Sequence, residues 1–130
     1  MAEWLNDVNV DGIRDLDRKV RENPALGKRT VKVHASWLGG TKTLVDIGEH
    51  QNDGRRVTPR TRRFVMTADA PPGLGGVDAA PAAVEVLLAA LAGCLTSGIA
   101  ANAALFDVPL EALTVDLEAD IDLRGLLGHD

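Results

Sequence analysis

Residues 81–106 read PAAVEVLLAALAGCLTSGIAANAALF, the longest apolar run in the chain and the stretch around which its fold is organised. Alanine and leucine, two strong helix formers, dominate the run. Pro81 suits the first turn of a helix, because it has no N–H to leave unpaired and its φ is already helical. Asp107, Val108 and Pro109 then end the pattern. The stretch predicts a helix, and apolar residues on nearly all its sides predict that the helix is buried.

Small residues form two neighbouring rows along this helix at i, i+4 spacing, and such rows let another backbone approach closely. A second copy of the same helix across a two-fold axis is a natural partner. The two rows are Ala89, Gly93, Ser97, Ala101 and Ala90, Cys94, Gly98, Asn102.

The same run is long enough to cross a bilayer, so a membrane span is the alternative interpretation. Three observations favour a soluble core helix. Glu85 lies near one end, most of the apolar residues are alanine and glycine, and no lysine or arginine flanks the run to set an orientation. We therefore predict a protein without a membrane partner.

Length and composition predict one domain over residues 1–130, with enough chain to bury a core. The net charge of −5 argues against nucleic acid as the main partner. A single cysteine excludes an intramolecular disulfide, and the N-terminal residues lack the pattern of a signal peptide. These features favour a cytoplasmic protein. The scattered histidines have no metal-ligand spacing, so no metal or other cofactor is predicted: His34, His50 and His129.

The N-terminal part predicts a short helix followed by an antiparallel meander. The helix covers residues 11–22, with Asp11 as a possible N-cap. Residues 30–38 alternate between apolar and polar side chains, as in a half-buried strand. Gly39-Gly40 is typical of a two-residue hairpin turn. The remaining predicted elements are a return strand over residues 42–47, a turn region over 48–54 and a third strand over 59–67.

Two further segments flank the central run. Residues 70–80, APPGLGGVDAA, are typical of a turn-forming connector, and the alternative is a loop that shapes the mouth of a pocket near the start of the helix. Residues 113–123 alternate without a break, which predicts a strand. Its four carboxylates are spaced too far apart along one face to converge on one cation, so we expect a solvated face. They are Asp116, Glu118, Asp120 and Asp122.

Cys94 is the main candidate for chemistry. A reactive thiol needs access and a nearby cation or helix N-terminus to stabilise the thiolate, and Cys94 is several turns into the helix. The cation would come from another element, such as Lys42 or the arginines of the meander. The alternative is that Cys94 is a small buried hydrophobe. The arginines form a cluster that we expect to be a solvated face rather than a nucleic-acid surface: Arg55, Arg56, Arg60, Arg62 and Arg63.

Glu85 is the only acid in the helical run, and a carboxylate is favourable near a helix start. It precedes Cys94 by nine residues, which is two and a half turns, so the two side chains point to opposite sides. A partner chain or another element would have to join them.

The string Pro-x-x-x-Glu-x-Leu-Leu-Ala-Ala-Leu-x-Gly-Cys, preceded by residues 68–80 and followed by VPLEALTVDLEADIDLRGLLG, resembles the OsmC/Ohr family of osmotically induced and organic-hydroperoxide-resistance proteins. Trp37-Leu38-Gly39-Gly40 also fits that family. The resemblance covers residues 28–128 and leaves residues 1–27 as an N-terminal helical extension. It implies an α+β fold and an intertwined homodimer. In such dimers the cysteine-bearing helices pack centrally, sheets wrap them, and the active sites lie at the subunit interface.

The resemblance also implies a chemistry. In the peroxidase members a thiolate attacks a hydroperoxide, an arginine and a glutamate polarise that thiol, and a second cysteine resolves the product. Cys94 matches the attacking position, and Glu85 matches a glutamate of the broader OsmC-like subgroup. The arginine-bearing turn corresponds to Thr41-Lys42. The resolving cysteine and the C-terminal part of the family fold are expected to be missing, so an external thiol would act as the reductant.

Two hypotheses follow from these residues. The first is a stress protein that reduces organic hydroperoxides through one peroxidatic cysteine, with Cys94 and Glu85 as catalytic residues. The second is a non-catalytic OsmC-like dimer that binds a small apolar ligand or serves a structural role, with Cys94 as inert packing. A third, weaker hypothesis is a truncated chain without independent activity.

Overall fold

The protein is described by a computed structural model that covers residues 3–52, 55–56 and 63–129. It is an α+β chain with antiparallel strands and one long helix, as predicted. The elements in order are β1 (Trp4–Leu5), β2 (Val8–Asn9), α1 (Val10–Glu22), β3 (Arg29–Trp37), β4 (Thr43–Asn52), β5 (Arg55–Arg56), β6 (Phe64–Ala68), α2 (Ala83–Leu105) and α3 (Leu123–Leu126).

The larger sheet is the predicted antiparallel meander. β4 lies in its middle and pairs with β3 on one side and with β5 and β6 on the other. The predicted turn over residues 48–54 is wrong at its start, because β4 continues to Asn52. Gly48 is passed over in the ladder, where Lys32 pairs with Glu49 and Val33 with Ile47. A glycine accommodates such a bulge within a strand, so it does not have to end one. Of the predicted third strand, residues 59–62 lie outside the described residues.

The turn between β3 and β4 is longer than the two residues predicted. Trp37 and Thr43 form the last ladder pair, and the N–H of Leu38 donates to the carbonyl of Lys42 at 2.9 Å. Three residues therefore close the loop, and the first two are glycines with φ of 98° and 58°. The indole N–H of Trp37 donates to the carbonyl of Gly40 at 2.7 Å and fixes the turn. Glycine is the residue that adopts positive φ without strain.

The N-terminal segment begins with a hairpin that the sequence interpretation missed. Asn6 and Asp7, with φ of 53° and 57°, form its two-residue turn between β1 and β2. The following helix, α1, lies at the predicted position. Its N-cap is Asn9, whose Oδ1 accepts the N–H of Gly12 at 3.0 Å. The prediction of Asp11 as N-cap is wrong. Its carboxylate instead accepts the N–H of Glu3 at 2.7 Å.

Helix α2 occupies most of the predicted run. It begins at Ala83, two residues after Pro81, whose carbonyl accepts the N–H of Asp69 at 3.1 Å. At the other end Asp107 adopts φ of 58°, and the N–H of Val108 donates to the carbonyl of Ala103 at 2.7 Å. This is the left-handed cap of a Schellman motif, and it ends the helix where the sequence predicted.

The prediction that α2 is buried is wrong within the single chain. Only its C-terminal end is closed over, where Ala104 and Val10 are the two fully buried apolar residues among those described. An exposed ridge at i, i+4 spacing runs along the rest of the helix and consists of Leu87, Leu91, Leu95 and Ile99. By length and composition alone α2 could also cross a membrane.

The apolar face of β3 is exposed as well. Val31 is 74% exposed and Trp37 is 77% exposed, although their alternation predicted a half-buried strand. An alternating strand buries one face only when another layer covers that face. In the single chain neither the apolar face of β3 nor the ridge of α2 is covered.

The predicted strand over residues 113–123 does not form. No strand is assigned over residues 112–122, and none of the described strands pairs with this segment. Its alternation survives as partial burial of Val115 and Leu117 beside exposed Asp116 and Glu118. A strand needs a hydrogen-bonded neighbour, and the single chain supplies none within its described residues.

Candidate functional site

Cys94 lies within the exposed surface of α2. The side chain is a free thiol and is exposed, so the prediction of a buried packing residue does not describe the single chain. At 100° per residue, Cys94 falls beside Leu87, Leu91 and Gly98 on the helix surface. Its sulfur makes no hydrogen bond to the described residues. The thiol is therefore open to an approaching molecule, and Leu87 and Leu91 share its side of the helix.

Glu85 holds the start of the same helix. Its Oε1 accepts the N–H of Ala82 at 3.0 Å, which is the glutamate half of a capping box. Ala82 has no side-chain acceptor to complete that motif. Nine residues place Glu85 about 13 Å from Cys94 along the helix axis and on the opposite side. The chain does not bring the two together, as their spacing predicted, and the catalytic role of Glu85 stays a prediction.

The loop before α2 is organised by Asp69, which the sequence interpretation did not single out. Asp69 is 4% exposed, the only buried polar residue among those described. Its Oδ1 accepts hydrogen bonds from the hydroxyl of Thr41 at 2.6 Å and from the N–H of Ala70, the next residue, at 2.8 Å. Its Oδ2 accepts the N–H groups of Val77 at 3.3 Å and Ala79 at 3.0 Å. Both oxygens are thus fully engaged.

These donors change the acidity of the carboxyl. The Thr41 hydroxyl, with help from the N–H groups of Ala79, Ala70 and Val77, lowers the pKa of Asp69 to about 2. Hydrogen bonds to a carboxylate favour its charged form, and here they outweigh the opposing effect of burial. Asp69 therefore stays ionised near neutral pH as a structural anchor between the β3–β4 turn and the loop.

The loop needs its glycines for this close approach. A Cβ on Gly76 would lie 1.8 Å from the carbonyl oxygen of Ala70 and 2.7 Å from Oγ1 of Thr41. Gly75 has φ of 91° and Asp78 has φ of 58°, so the chain reverses at both. The segment is consequently a folded loop built around one carboxylate, and not a passive connector.

A shallow cavity of about 260 Å³ lies between this loop and the β3–β4 turn. The turn residues 38–42, Asp69 and residues 75–77 line it. Lys42 is the one cation in the lining. The loop thus borders a cavity at the β3–β4 turn, whereas the alternative expectation placed a pocket near the start of the helix. Since Asp69 is already saturated by its donors, the polar groups left for a ligand are those of the turn.

The other predicted cations are less available. Arg63 forms an ion pair with Asp46 on the neighbouring strand β4. Arg60 and Arg62 lie outside the described residues, and the side chains of Arg55 and Arg56 are also outside them. Lys42 is therefore the described cation best placed to serve a site near the turn. Within the described part of the chain, no three histidine, cysteine or acidic residues cluster as metal ligands.

A weak signal for the Asp69 anchor was present in the sequence. An aspartate directly before Ala-Pro-Pro-Gly, with Gly-Gly six residues later, is typical of a loop that folds back on a side-chain acceptor. The partner Thr41, 28 residues away, could not be read from such local chemistry.

Comparison with known families supports the resemblance. Residues 75–129 match the model of a family described as OsmC-like protein. The match begins within the Asp69 loop and includes α2, Cys94 and the acidic segment that follows. No protein of curated function matches the chain. Residues 75–129 are therefore similar to the OsmC-like protein family.

Proposed function

We propose that the protein reduces organic hydroperoxides with Cys94 as the attacking thiol. The observation that carries this proposal is the position of the sole cysteine, exposed on α2 within the OsmC-like segment. The family match supports a stress protein as the general kind. The apolar residues around Cys94 suit the organic portion of a hydroperoxide, since they offer it an apolar surface.

The proposed reaction uses an external thiol as the reductant. The Cys94 thiolate attacks the distal oxygen of the hydroperoxide, the O–O bond breaks, and an alkoxide leaves and takes a proton to become the alcohol. The cysteine is then a sulfenic acid. An external thiol forms a mixed disulfide with it and releases water. A second external thiol reduces that disulfide, which restores Cys94 and yields the oxidised reductant.

We also propose that the working protein is a homodimer. A monomer of 13.8 kDa is expected to expose about 6,600 Å². The chain exposes 9971 Å², an excess of about 3,300 Å². Summed over two copies this is about 6,600 Å², which is at or above the upper end of what obligate homodimers bury. The ridge of α2 and the apolar face of β3 are the surfaces that a second copy would cover.

A homodimer also supplies what the single chain lacks at Cys94. The thiolate needs a nearby positive charge, and a glutamate could polarise it only from another element. Glu85 lies on the opposite side of its own helix from Cys94, so each thiol would use Glu85 of the partner, with Lys42 as a candidate for the cation. We place this dimer in the cytoplasm, with the thiol pool of that compartment as reductant; recovery in the membrane fraction would contradict that placement.

The decisive experiment measures oxidation of Cys94 directly. Pre-reduced protein is mixed with an organic hydroperoxide at near-stoichiometric amount together with a sulfenic-acid trap, and intact mass is read within seconds. We expect trapping at Cys94 much faster than for a free thiol, and none in Cys94→Ser. Trapping no faster than for a free thiol would overturn the proposal and favour the non-catalytic dimer. The apolar residues near Cys94 are the observation that supports that second function.

Glu85 can be tested without disturbing the helix. Glu85→Gln retains a side-chain oxygen that can accept the Ala82 N–H, so α2 keeps its start. If the carboxylate polarises the thiol in the dimer, the variant traps sulfenic acid at least ~10-fold more slowly, in the range typical of lost acid–base assistance. An unchanged rate, with an unchanged circular dichroism spectrum, would leave Glu85 as a helix cap only.

A further inference from the structure

The backbone of Asp69 connects this residue to the start of α2. Its N–H donates to the carbonyl of Pro81 at 3.1 Å, two residues before the helix begins at Ala83. The N–H of Ala82, the residue in between, donates to Oε1 of Glu85 at 3.0 Å. Asp69 and Glu85 are therefore bonded to adjacent residues of the chain, and the position of one limits the position of the other.

The side chain of Asp69 connects it in the other direction to the turn between β3 and β4. Its Oδ1 accepts the hydroxyl of Thr41 at 2.6 Å, and the oxygen of that hydroxyl accepts the N–H of Ala70 at 3.3 Å. Thr41 directly precedes Lys42, whose own N–H donates to the carbonyl of Gly39 at 3.1 Å. The backbone of Lys42 is therefore held inside a turn that Asp69 fastens.

Among the described residues, the Thr41 hydroxyl makes every hydrogen bond between this turn and the loop before α2. The ladder of β4 with β6 ends at the pair Thr43 and Ala68. Beyond that pair, the hydrogen bonds that join residues 38–42 to residues 69–82 both involve the Thr41 hydroxyl. The ammonium of Lys42 forms no ion pair with a described residue. The position of this cation relative to α2 therefore depends strongly on the contact between Thr41 and the loop.

A purely structural role for this buried carboxylate is the simpler alternative. The N–H groups of Ala70, Val77 and Ala79 already close the loop around the carboxylate. The fourth donor, Thr41, lies in the turn and is not needed for that closure. It fixes the segment that carries Lys42 instead. A cation changes the behaviour of a thiol only within about 4–6 Å, so a candidate cation has to be held in place.

We infer that Asp69 is a positioning residue of the proposed site, and that it acts by holding Lys42 at a fixed place relative to the start of α2. This inference rests on the function proposed above and assigns a role to a residue that does not touch the thiol. The groups held in place are Lys42 at the turn and Glu85 in the first turn of the helix. In the dimer they serve Cys94 of the partner subunit.

The test measures the positive charge beside Cys94 and needs no hydroperoxide. Pre-reduced protein is alkylated with iodoacetate, an anion, and in parallel with iodoacetamide, its neutral analogue, and intact mass gives both rates. Both reagents need the thiolate and access to it, so the ratio of the two rates depends on the local charge. A cation within a few ångströms should raise this ratio about 3-fold or more above the ratio for a free thiol.

Two substitutions locate the source of that charge. Lys42→Met should remove the excess, and Thr41→Val, which keeps Lys42 but removes its anchor, should lower the ratio by about 2-fold or more. Thr41→Ser retains a hydroxyl and should restore the native ratio. Adding Thr41→Val to Lys42→Met should change the ratio no further, because the anchor acts only through that cation. Thr41→Val is preferred to Asp69→Asn, since an amide in place of Oδ2 would face the N–H groups of Val77 and Ala79.

The matched control loses stability at the other end of α2. Asn6→Gly removes two hydrogen bonds, one to Val108 and one to Leu110. This variant should unfold at a lower denaturant concentration than the native chain, while its ratio of alkylation rates stays at the native value. A fall in the ratio equal to that of Thr41→Val would assign the effect to lost stability and would overturn the positioning role.

The remaining outcomes separate this inference from the proposed function. If Lys42→Met lowers the ratio and Thr41→Val does not, Asp69 has no positioning role and the thiol chemistry is unaffected. An undiminished effect of Thr41→Val in the Lys42→Met chain would show that the contact does not act through Lys42. A native ratio equal to that of a free thiol would also overturn the role of Asp69, because no cation would then lie beside Cys94. The sulfenic-acid experiment tests the proposed hydroperoxide reduction separately and depends on neither reagent.

Discussion

At the scale of single residues, the strongest organising interaction is the one around Asp69. Its carboxylate accepts a hydroxyl and three N–H groups, and the most distant of these donors, Thr41, lies 28 residues from Asp69 in the sequence. A buried charge is costly unless it is hydrogen-bonded, and this one is bonded at both oxygens. The turn of β3–β4 and the loop before α2 are therefore coupled through one side chain.

The first prediction concerns acid. The pKa of Asp69 in the folded chain, about 2, is below its ordinary value of 3.8, so its contribution to stability is complete above pH ~4. It is lost as the pH falls through about 2. Thermal melts between pH 5 and pH 2 should show a steeper loss of Tm for the native sequence than for Asp69→Asn. Parallel curves would show that the carboxylate does not stabilise the loop.

The second prediction separates two glycines of that loop. Gly76→Ala places a methyl 1.8 Å from a backbone oxygen, which cannot move aside, whereas a Cβ on Gly73 meets nothing within 4 Å. We expect Gly76→Ala to reduce the free energy of unfolding by about 3 kcal/mol or more and Gly73→Ala to change it by less than about 1 kcal/mol. Denaturant titrations of the two variants measure the difference, and similar values for both would contradict the loop geometry.

At the scale of elements, sequence patterns predicted the helices and strands that depend mainly on their own residues. The alternation of residues 30–38 and the Ala/Leu run of 81–106 gave β3 and α2 with small errors at their ends. The same reasoning located Cys94 and Glu85 on opposite sides of α2. It failed for residues 113–123, because a strand also needs a neighbour, and no alternation reveals where that neighbour is. It also missed β1 and β2, which are too short to show a pattern.

The short N-terminal hairpin is tied to the end of α2 by one amide. Nδ2 of Asn6 donates to the carbonyl of Val108 at 2.9 Å, and Oδ1 of Asn6 accepts the N–H of Leu110 at 2.7 Å. The side chain thus satisfies two backbone groups just past the helix, where the chain leaves regular structure. The sequence around Asn6 does not predict these hydrogen bonds.

The third prediction tests that tie. Asn6→Gly keeps the positive φ of the turn and removes the amide, so it should lower the free energy of unfolding by about 1–3 kcal/mol, the range for two lost hydrogen bonds. Asp7→Gly is the matched control, since Asp7 has a similar φ and its side chain makes no hydrogen bond to the described residues. Chemical denaturation of both should show a loss for Asn6→Gly alone, and equal losses would assign the effect to backbone entropy.

At the scale of the whole molecule, the described residues enclose a small core for a chain of this length. Two buried apolar residues and one buried carboxylate are all that the described chain encloses, while apolar side chains cover one face of β3 and a ridge of α2. A domain of this length normally buries far more. Sequence patterns predicted these faces as buried, and that interpretation agrees with the structure only if a second copy covers them.

The fourth prediction follows from mass action. If folding and dimer formation are coupled, Tm should rise with protein concentration over about a hundredfold range, because association stabilises only the folded chain. Leu91→Lys, which charges the ridge of α2, should lower Tm and weaken its dependence on concentration. A Tm independent of concentration for the native sequence, together with a monomer by light scattering, would contradict the dimer.

The amide of Asn6 also sets an order of events during synthesis. Its two partners, the carbonyl of Val108 and the N–H of Leu110, lie 102 and 104 residues downstream. At ribosomal rates of about 5–20 residues per second, Asn6 waits roughly 5–20 seconds before its partners have been made. The turn between β1 and β2 therefore gains its hydrogen bonds to the end of α2 only after residues 108–110 have been made, and until then the Asn6 amide is free to bind other partners.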